Sequence, residues 1–323
     1  PFNLNDDAVM NSGGGDISFG GTISGDYAIT CEAGSGNISL NGDVNVGSFT
    51  VSSSQIFNPP NITTTETGFI SIAPNVELIQ NVTLAAGSGG LTVFGSIDGP
   101  YSLIASAPGG SVVFSAAIGA SEPLSSTSVS SADAISLTSL SATNAVTLSA
   151  PLTLTGDATI RSSGGDVSFS GPINASSSTS LETLSLSAGG TLSLLQGVGS
   201  TNPLGGLSVT SGSSLSLGGN LITQGSMNIE VPISITSNVN IDSGGSSLTL
   251  SSVTASDPTF YLTSSSGASD YSVVDIGSES NPLAFATITG GNVTISGGVY
   301  LEGAGLLTVD NSGTLTLASS GSE

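Results

Sequence analysis

Basic residues are almost missing from this 323-residue chain, which has one Lys or Arg, no His and 23 Asp or Glu. Because Lys and Arg are the groups that neutralise phosphates, this composition argues against nucleic-acid binding and against attachment to anionic lipid surfaces. The lack of His excludes Ser-His-Asp and Cys-His catalysis and most zinc sites. The formal charge of −22 reflects missing bases rather than abundant acids, since charged residues make up only 7% of the chain.

Cysteine and long apolar runs are also scarce. Cys31 is the single cysteine, which rules out an intramolecular disulfide, and it lies in phase with Tyr27 and Ile29 as a small core residue would. No run of about 18 apolar residues occurs, so we expect no insertion into a membrane. Trypsin-like proteases find one site, Arg161, and almost no charge remains at low pH. These features favour an extracellular or cell-surface location.

Apolar residues alternate with Ser, Thr and Asn along nearly the whole chain. From Met227 to Ile235, for example, every second residue is apolar. This period of two predicts short strands with one buried and one solvated face. Breakers such as Gly-Gly, Asp-Gly and Asn-Pro recur about every 10 residues, and no helical periodicity is present. The sequence therefore predicts an all-β protein with very little helix.

A longer repeat is marked by an SGG motif at Ser12, Ser88, Ser163 and Ser243. A second motif, EPL or NPL, keeps the same phase in three of the four copies. Two independent markers in register predict four sequence repeats of about 75–80 residues. The predicted organisation is an N-terminal segment 1–11 followed by a single domain 12–323 with repeats at about 12–87, 88–162, 163–242 and 243–323.

A parallel β-solenoid fits this pattern better than a propeller or a sandwich. Propeller blades take about 40–50 residues and usually carry aromatic signatures, whereas this chain has no Trp and 5% aromatic residues. Solenoid coils of about 20–25 residues stack aliphatic side chains and place Gly, Asn and Ser at tight corners. We expect roughly 13–15 coils. The stretch from Phe57 to Thr67, which contains Pro59-Pro60, breaks the rhythm and is predicted to be a protruding loop.

Several phrases of the sequence resemble the repeats of bacterial filamentous-haemagglutinin-like proteins. The phrases are GGDVSFSGPI (164–173), LSLSAGGTLSLL (184–195), NPLGGLSVTSGSSLSLGGNL (202–221) and VNIDSGG (239–245). Proteins of that family are large secreted or surface-attached adhesins and filament-forming proteins. The resemblance covers most of the chain, and it implies a right-handed β-helix with a structural or adhesive role.

Candidates for chemistry are few. β-Helical polysaccharide lyases use basic residues, and this chain has only Arg161, while a glycosidase needs two acids at a suitable separation. The candidate acids form no repeated cluster: Asp98, Glu122, Asp166, Glu182, Asp257, Asp270 and Asp275. Partial GGxGxD calcium motifs end at Asp16 and Asp166 but are missing from the other two repeats. We therefore predict no catalytic residue, no cofactor and no metal site.

The two ends of the predicted solenoid supply the candidate contact residues. Terminal coils carry unpaired backbone groups, which isolated solenoids usually cover with a cap. Residues 305–318 keep the strand rhythm, whereas residues 1–11 differ and are predicted to be a cap or a segment donated to another subunit. The candidate assembly contacts are Phe2, Leu4, Val9, Leu315 and Leu317.

Two functions stay open on these grounds. The first is a non-catalytic structural protein that builds a surface filament or adhesin stalk, whose partner is a second copy or the rest of a longer solenoid. The second is a module that binds carbohydrate or a host surface through side loops. Its plausible residues are Tyr101, Phe260, Tyr261 and Tyr271. A polysaccharide-active enzyme is a remote third.

Overall fold

A computed structural model describes residues 1–131 and 133–318 of the chain. In this part the protein contains no helix and forms a parallel β-solenoid of about 15 turns. The predicted fold class is confirmed. No helix within these ranges has the length and apolar character that a membrane crossing requires. Two compact units are distinguished, Pro1–Thr153 and Leu154–Glu323, and each is described by itself.

In the first unit the chain visits three walls in a constant order, named A, B and C in order of visit. Each strand pairs in parallel with the strand one turn on, as Phe2 does with Ile23 and Ile17 with Ile38. Wall A holds β1, β4, β7, β10, β13, β16, β18 and β20, wall B holds β2, β5, β8, β11, β14, β17 and β19, and wall C holds β3, β6, β9, β12 and β15. The strands are β1 (Phe2–Asn3), β2 (Ala8–Asn11), β3 (Ile17–Phe19), β4 (Ile23–Ser24), β5 (Ala28–Glu32), β6 (Ile38–Leu40), β7 (Val44–Val46), β8 (Ser48–Ser53), β9 (Ile56–Asn58), β10 (Ile62–Thr64), β11 (Phe69–Ile72), β12 (Asn75–Glu77), β13 (Val82–Ala85), β14 (Gly90–Val93), β15 (Ile97–Asp98), β16 (Leu103–Ala107), β17 (Val112–Phe114), β18 (Thr127–Ser131), β19 (Ile135–Ala142), β20 (Val146–Leu148) and β21 (Leu152–Ser162), within which the unit ends.

The second unit also has three walls, named by the same order of visits. Wall A holds β22, β25, β27, β30 and β33, wall B holds β23, β28, β31, β34, β36 and β38, and wall C holds β24, β26, β29, β32, β35, β37 and β39. The strands are β22 (Val167–Phe169), β23 (Ile173–Ala175), β24 (Thr183–Ser187), β25 (Thr191–Leu194), β26 (Gly206–Ser211), β27 (Ser214–Leu217), β28 (Leu221–Ile222), β29 (Met227–Ile229), β30 (Ile233–Ile235), β31 (Val239–Asp242), β32 (Leu248–Leu250), β33 (Val253–Ala255), β34 (Leu262–Ser265), β35 (Tyr271–Val273), β36 (Ala286–Gly290), β37 (Val293–Ile295), β38 (Leu307–Asn311) and β39 (Leu315–Leu317).

The alternation read from the sequence decides which side chains face the interior. In wall A of the second unit, the stacked residues Leu192, Leu215, Ile233 and Val253 are buried. The positions between the apolar ones carry hydroxyl groups that are half-buried at the outer surface: Ser193, Ser216, Ser234 and Thr254. Burying each large aliphatic side chain contributes about 1.5–3 kcal/mol, so these ladders supply the main stabilisation of the solenoid.

The stretch predicted as a protruding loop belongs to the core instead. It contains the end of β9 and all of β10, and both Phe57 and Ile62 are fully buried. The ring of Phe57 lies 5.9 Å from that of Phe49 in a stacked arrangement. Pro59 and Pro60 lie between the two strands, where their missing N–H groups cost no ladder hydrogen bond. The loop prediction was wrong because the prolines mark a corner.

Corners are held by side-chain oxygens of Asp and Asn that accept hydrogen bonds from the backbone of the next turn. Asp7 Oδ1 accepts from the N–H of Ala28 at 2.9 Å, and Asp16 Oδ1 accepts from that of Asn37 at 2.8 Å. The same pattern recurs in pairs one turn apart: Asn61 with Thr83, Asn75 with Ser96, Asn81 with Ser102, Asp166 with Thr191, Asn220 with Asn240, and Asn292 with Thr314. Turn-forming acids and amides thereby satisfy N–H groups that the strand ladders leave unpaired.

Glycine is required at a corner of the second unit where two turns approach closely. Gly199 has a φ of +70°, and a Cβ atom there would collide with the carbonyl oxygen of Ile222. Only glycine adopts this backbone conformation without strain and leaves room for the neighbouring turn. The prediction of tight, glycine-bearing corners is confirmed at this position.

Candidate functional site

The first turn has an open strand edge at one end of the first unit. β1, β2 and β3 pair with β4, β5 and β6, and no strand of residues 1–131 or 133–318 lies on their other side. Phe2 occupies the inward position above Ile23, yet it is 43% exposed whereas Ile23 is fully buried. The segment 1–11 thus supplies two strands of a first turn in register with the second, and its predicted role towards another subunit stays a prediction.

The other two candidate contacts in this segment lie in different environments. Leu4 is buried, and its N–H donates to the carbonyl oxygen of Ser24 at 2.7 Å. Val9 pairs with Thr30, between inward-facing Ile29 and Cys31, so it faces outward and is 67% exposed. Of the three residues, Phe2 lies at the open end, Leu4 packs inside the fold, and Val9 lies on the outer surface of wall B.

The last turn of the second unit has a matching open edge. Leu315 and Leu317 of β39 pair with Val293 and Ile295, which are both buried. Leu315 is nevertheless 42% exposed and Leu317 66% exposed, because no described strand covers them. Leu307 and Val309 of β38 continue the same inward ladders and are half-buried. These two residues were not among the predicted contacts, although their alternation with polar residues indicated an inward position.

Six of the seven acids considered as catalytic candidates accept hydrogen bonds through their carboxylates. Asp98 Oδ1 accepts hydrogen bonds from the N–H groups of Ser121 at 2.8 Å and Glu122 at 3.2 Å, and Asp275 Oδ1 accepts from Gly298 at 2.7 Å. Other candidates are paired similarly: Asp166 with Thr191, Asp257 with Thr259, Asp270 with Asn292, and Glu182 with Ser176. Among the described residues, no three His, Cys, Asp or Glu side chains are grouped to hold a metal ion.

Two exposed carboxylates are held in their ionised form by a neighbouring threonine. Hydrogen bonds from the backbone N–H and the hydroxyl of Thr183 lower the pKa of Asp157. The corresponding groups of Thr259 lower the pKa of Asp257. A glycosidase general acid needs the opposite, a raised pKa. These carboxylates are therefore suited to accepting hydrogen bonds at corners rather than to donating protons.

The predicted aromatic residues lie in different environments. Tyr271 is buried, and its hydroxyl lies 2.8 Å from Ser264 Oγ. Tyr101, in the first unit, is 37% exposed. Tyr261 stacks on Phe285 with ring centroids 4.5 Å apart and planes at 10°. Phe285 was missing from the prediction. Leu262 pairs with Ala286, so the residues that precede them, Tyr261 and Phe285, lie side by side on successive turns.

Two grooves flank this aromatic stack on wall B of the second unit. The larger, of about 760 Å³, is lined by Phe285, Leu306, Thr287 and Thr308 together with residues of the adjoining corners. The smaller, of about 430 Å³, is lined by Asn220, Asn238, Val239, Asn240, Tyr261 and Thr263. Aromatic, hydroxyl and amide groups with few charges form a surface suited to a neutral polar ligand.

Comparisons with protein-family models, with curated proteins and with solved structures find no match to this chain. The resemblance to filamentous-haemagglutinin-like repeats therefore stays a prediction beyond the β-solenoid fold itself.

Proposed function

We propose that this chain is a non-catalytic structural protein that builds a filament or adhesin stalk at the cell surface by end-to-end stacking of solenoids. One observation carries the proposal: inward-facing apolar residues are exposed at both terminal turns. Phe2 is 43% exposed at the first turn and Leu317 is 66% exposed at the last, while the residues they pair with are buried. Free strand edges lie beside these apolar surfaces, and such edges pair readily with another strand.

The remaining surface supports a structural role in an external environment. The acids whose contacts are described above serve the corners, outward positions carry small hydroxyl side chains, and Arg161 is the one basic residue. Proteases that cut after basic residues therefore have almost no target. With a formal net charge of −22 and a single basic residue, the sides of two copies repel each other, so growth is directed to the ends.

Electron microscopy in negative stain, together with analytical ultracentrifugation at neutral pH, tests this function. Stacking predicts long, uniform, unbranched fibres whose fraction rises with protein concentration. Leu317→Asp places a charge on the open apolar end and should abolish the fibres. Thr249→Asp, at an exposed position of an internal turn, is the matched control and should leave them intact. Single particles at every concentration would refute end-to-end stacking.

A second candidate function is binding of a neutral carbohydrate on wall B of the second unit. It is favoured by the stack of Tyr261 on Phe285, which is 39% exposed between the two grooves. Without neighbouring bases the surface has no partner for sulfated or carboxylated sugars. A glycan array with Phe285→Ala tests it, with Phe94→Ala as a control at another exposed phenylalanine. Equal glycan binding by both variants, or none by the unmodified chain, would rule this site out.

A further inference from the structure

We propose that a second copy of this chain adds to the last turn in one register, with its β2 pairing in parallel to β38 and its β3 pairing in parallel to β39. This inference rests on the proposed end-to-end stacking, and it names the partner and the contacts. It concerns walls B and C, where both open edges carry regular strands.

The order of the strands permits both pairings at once. β2 and β3 occupy walls B and C of the first turn, and β38 and β39 occupy walls B and C of the last. Ala8 and Ile17 are nine residues apart, and Leu307 and Leu315 are eight apart. Neighbouring turns of the second unit already tolerate such a difference, because Ala286 and Val293, seven residues apart, pair with Leu307 and Leu315.

The inward and outward alternation selects the register. Ala8 and Met10 occupy inward positions over Ile29 and Cys31, just as Leu307 and Val309 do over Ala286 and Ile288. Stacking inward on inward places Ala8 on Leu307, Met10 on Val309, Ile17 on Leu315 and Phe19 on Leu317. A shift of one residue would place the inward side chains of one copy on the outward positions of the other. A shift of two would leave one matched pair in the three-residue strands β3 and β39.

The apolar side chains at the two ends face one another in this register. Phe19 meets Leu317 and Ile17 meets Leu315, so each exposed leucine of the last turn packs against an apolar side chain of the first. Ile17 and Phe19 are half-buried in the isolated chain, whereas inward residues of internal turns such as Ile38 and Leu40 are buried. The addition would complete two ladders in the way that each internal turn completes the turn before it.

Outward positions add a polar contact in the same register. Val9 comes to lie on Thr308, and Asn11 on Asp310. One N–H of the Asn11 amide donates to Glu32 Oε2 at 2.7 Å. The amide group has a second hydrogen, which this register directs to the Asp310 carboxylate. Val9, which is 67% exposed on the outer surface, thereby becomes a contact at the joint between copies.

Site-directed crosslinking tests the register separately from the stacking. In a Cys31→Ala background, which removes the one native thiol, chains carrying Val9→Cys are mixed with chains carrying Thr308→Cys, and dibromobimane joins thiols that lie close together. Val9→Cys mixed with Asp310→Cys is the matched control, because Asp310 faces outward on the same strand two residues on. That displacement is about 6.6 Å, so we expect roughly tenfold more crosslinked dimer from the Thr308 pair.

The outcomes distinguish the two proposals. Fibres together with preferential Val9–Thr308 crosslinking support the register. Fibres with equal or greater crosslinking to position 310 overturn the register while end-to-end stacking stands. Neither fibres nor crosslinked dimer, with circular dichroism unchanged from the parent chain, overturns stacking and the register with it.

Discussion

Replacing Phe57 with alanine is expected to destabilise the first unit strongly, because this side chain lies in the core. Phe57 is fully buried in β9, pairs with Ile38 and Val76, and stacks on Phe49 at 5.9 Å. Truncation would remove the ring from the three turns that it connects. The space it leaves is bounded by strand backbones whose ladder hydrogen bonds hold them in place, so the site has little room to collapse.

The expected magnitude follows from these contacts. Phe→Ala substitutions in packed cores cost about 3–5 kcal/mol, from lost burial and from the cavity that remains. In a solenoid each turn contacts mainly its neighbours, so the effect should be concentrated around β6, β9 and β12. Since about 1.4 kcal/mol is a factor of ten, protection of amide hydrogens in these strands should fall by roughly two to three and a half orders of magnitude.

Hydrogen–deuterium exchange measured by mass spectrometry is the appropriate assay, because it locates the opening along the chain. Phe94→Ala is the control, since Phe94 is 54% exposed in the same unit and its loss should cost less than about 0.5 kcal/mol. If the two variants exchanged alike around residues 38–77, the placement of Phe57 in the core would be refuted. The stretch from Phe57 to Thr67 would then be a surface loop after all.

Further substitutions test the corners and the inward ladders. Gly199→Ala should lower stability by more than about 1 kcal/mol in thermal unfolding because its Cβ collides with Ile222, whereas Gly156→Ala, with open space and no positive φ, should not. Burial raises the pKa of the Cys31 thiol from 9.0 to about 12, so stability conferred by the neutral thiol is complete below about pH 9 and is lost as the pH rises towards 12. In urea titrations at pH 8 and 10.5, Cys31→Ala should reduce this alkaline loss, and an unchanged loss would count against burial of the thiol. Thr127→Val should raise the unfolding midpoint by the equivalent of about 1 kcal/mol, because the buried Thr127 hydroxyl has no hydrogen-bond partner among the described residues and faces the interior.

The fold was predictable because its main determinant is local. Alternation such as Met227, Ile229 and Val231 assigns a face to each residue, and parallel stacking then needs only a similar length in each turn. The prediction failed at Phe57 to Thr67 because Pro59-Pro60 separates two consecutive strands without interrupting the order in which the chain visits the walls. A proline indicates only that the backbone lacks an N–H donor at that residue. A corner of the solenoid and a protruding loop both tolerate this, so the prolines do not distinguish them.

The candidate surface sites were harder to predict because the length of a turn varies. Val44 pairs with Ile62, 18 residues on, while Ala158 pairs with Leu184, 26 residues on. A residue's lateral neighbour therefore cannot be found by adding a constant, and Phe285 was missed although Tyr261 was considered. Val9 shows the same limit at the first turn, since its outward direction depends on pairing with Thr30.

The corner hydrogen bonds connect the unusual composition to the proposed assembly. Asp7 and Asp16 of the first turn accept hydrogen bonds from backbone N–H groups of the second turn. Each of them therefore holds the turn that follows its own. The last turn also presents a carboxylate to a following turn, that of Asp310 on β38, which is exposed. A second copy in the register proposed above would supply Asn11 as the donor at that position. A carboxylate acceptor, the kind of group that holds successive turns together within the chain, would then also join one copy to the next, with no basic residue needed at the joint.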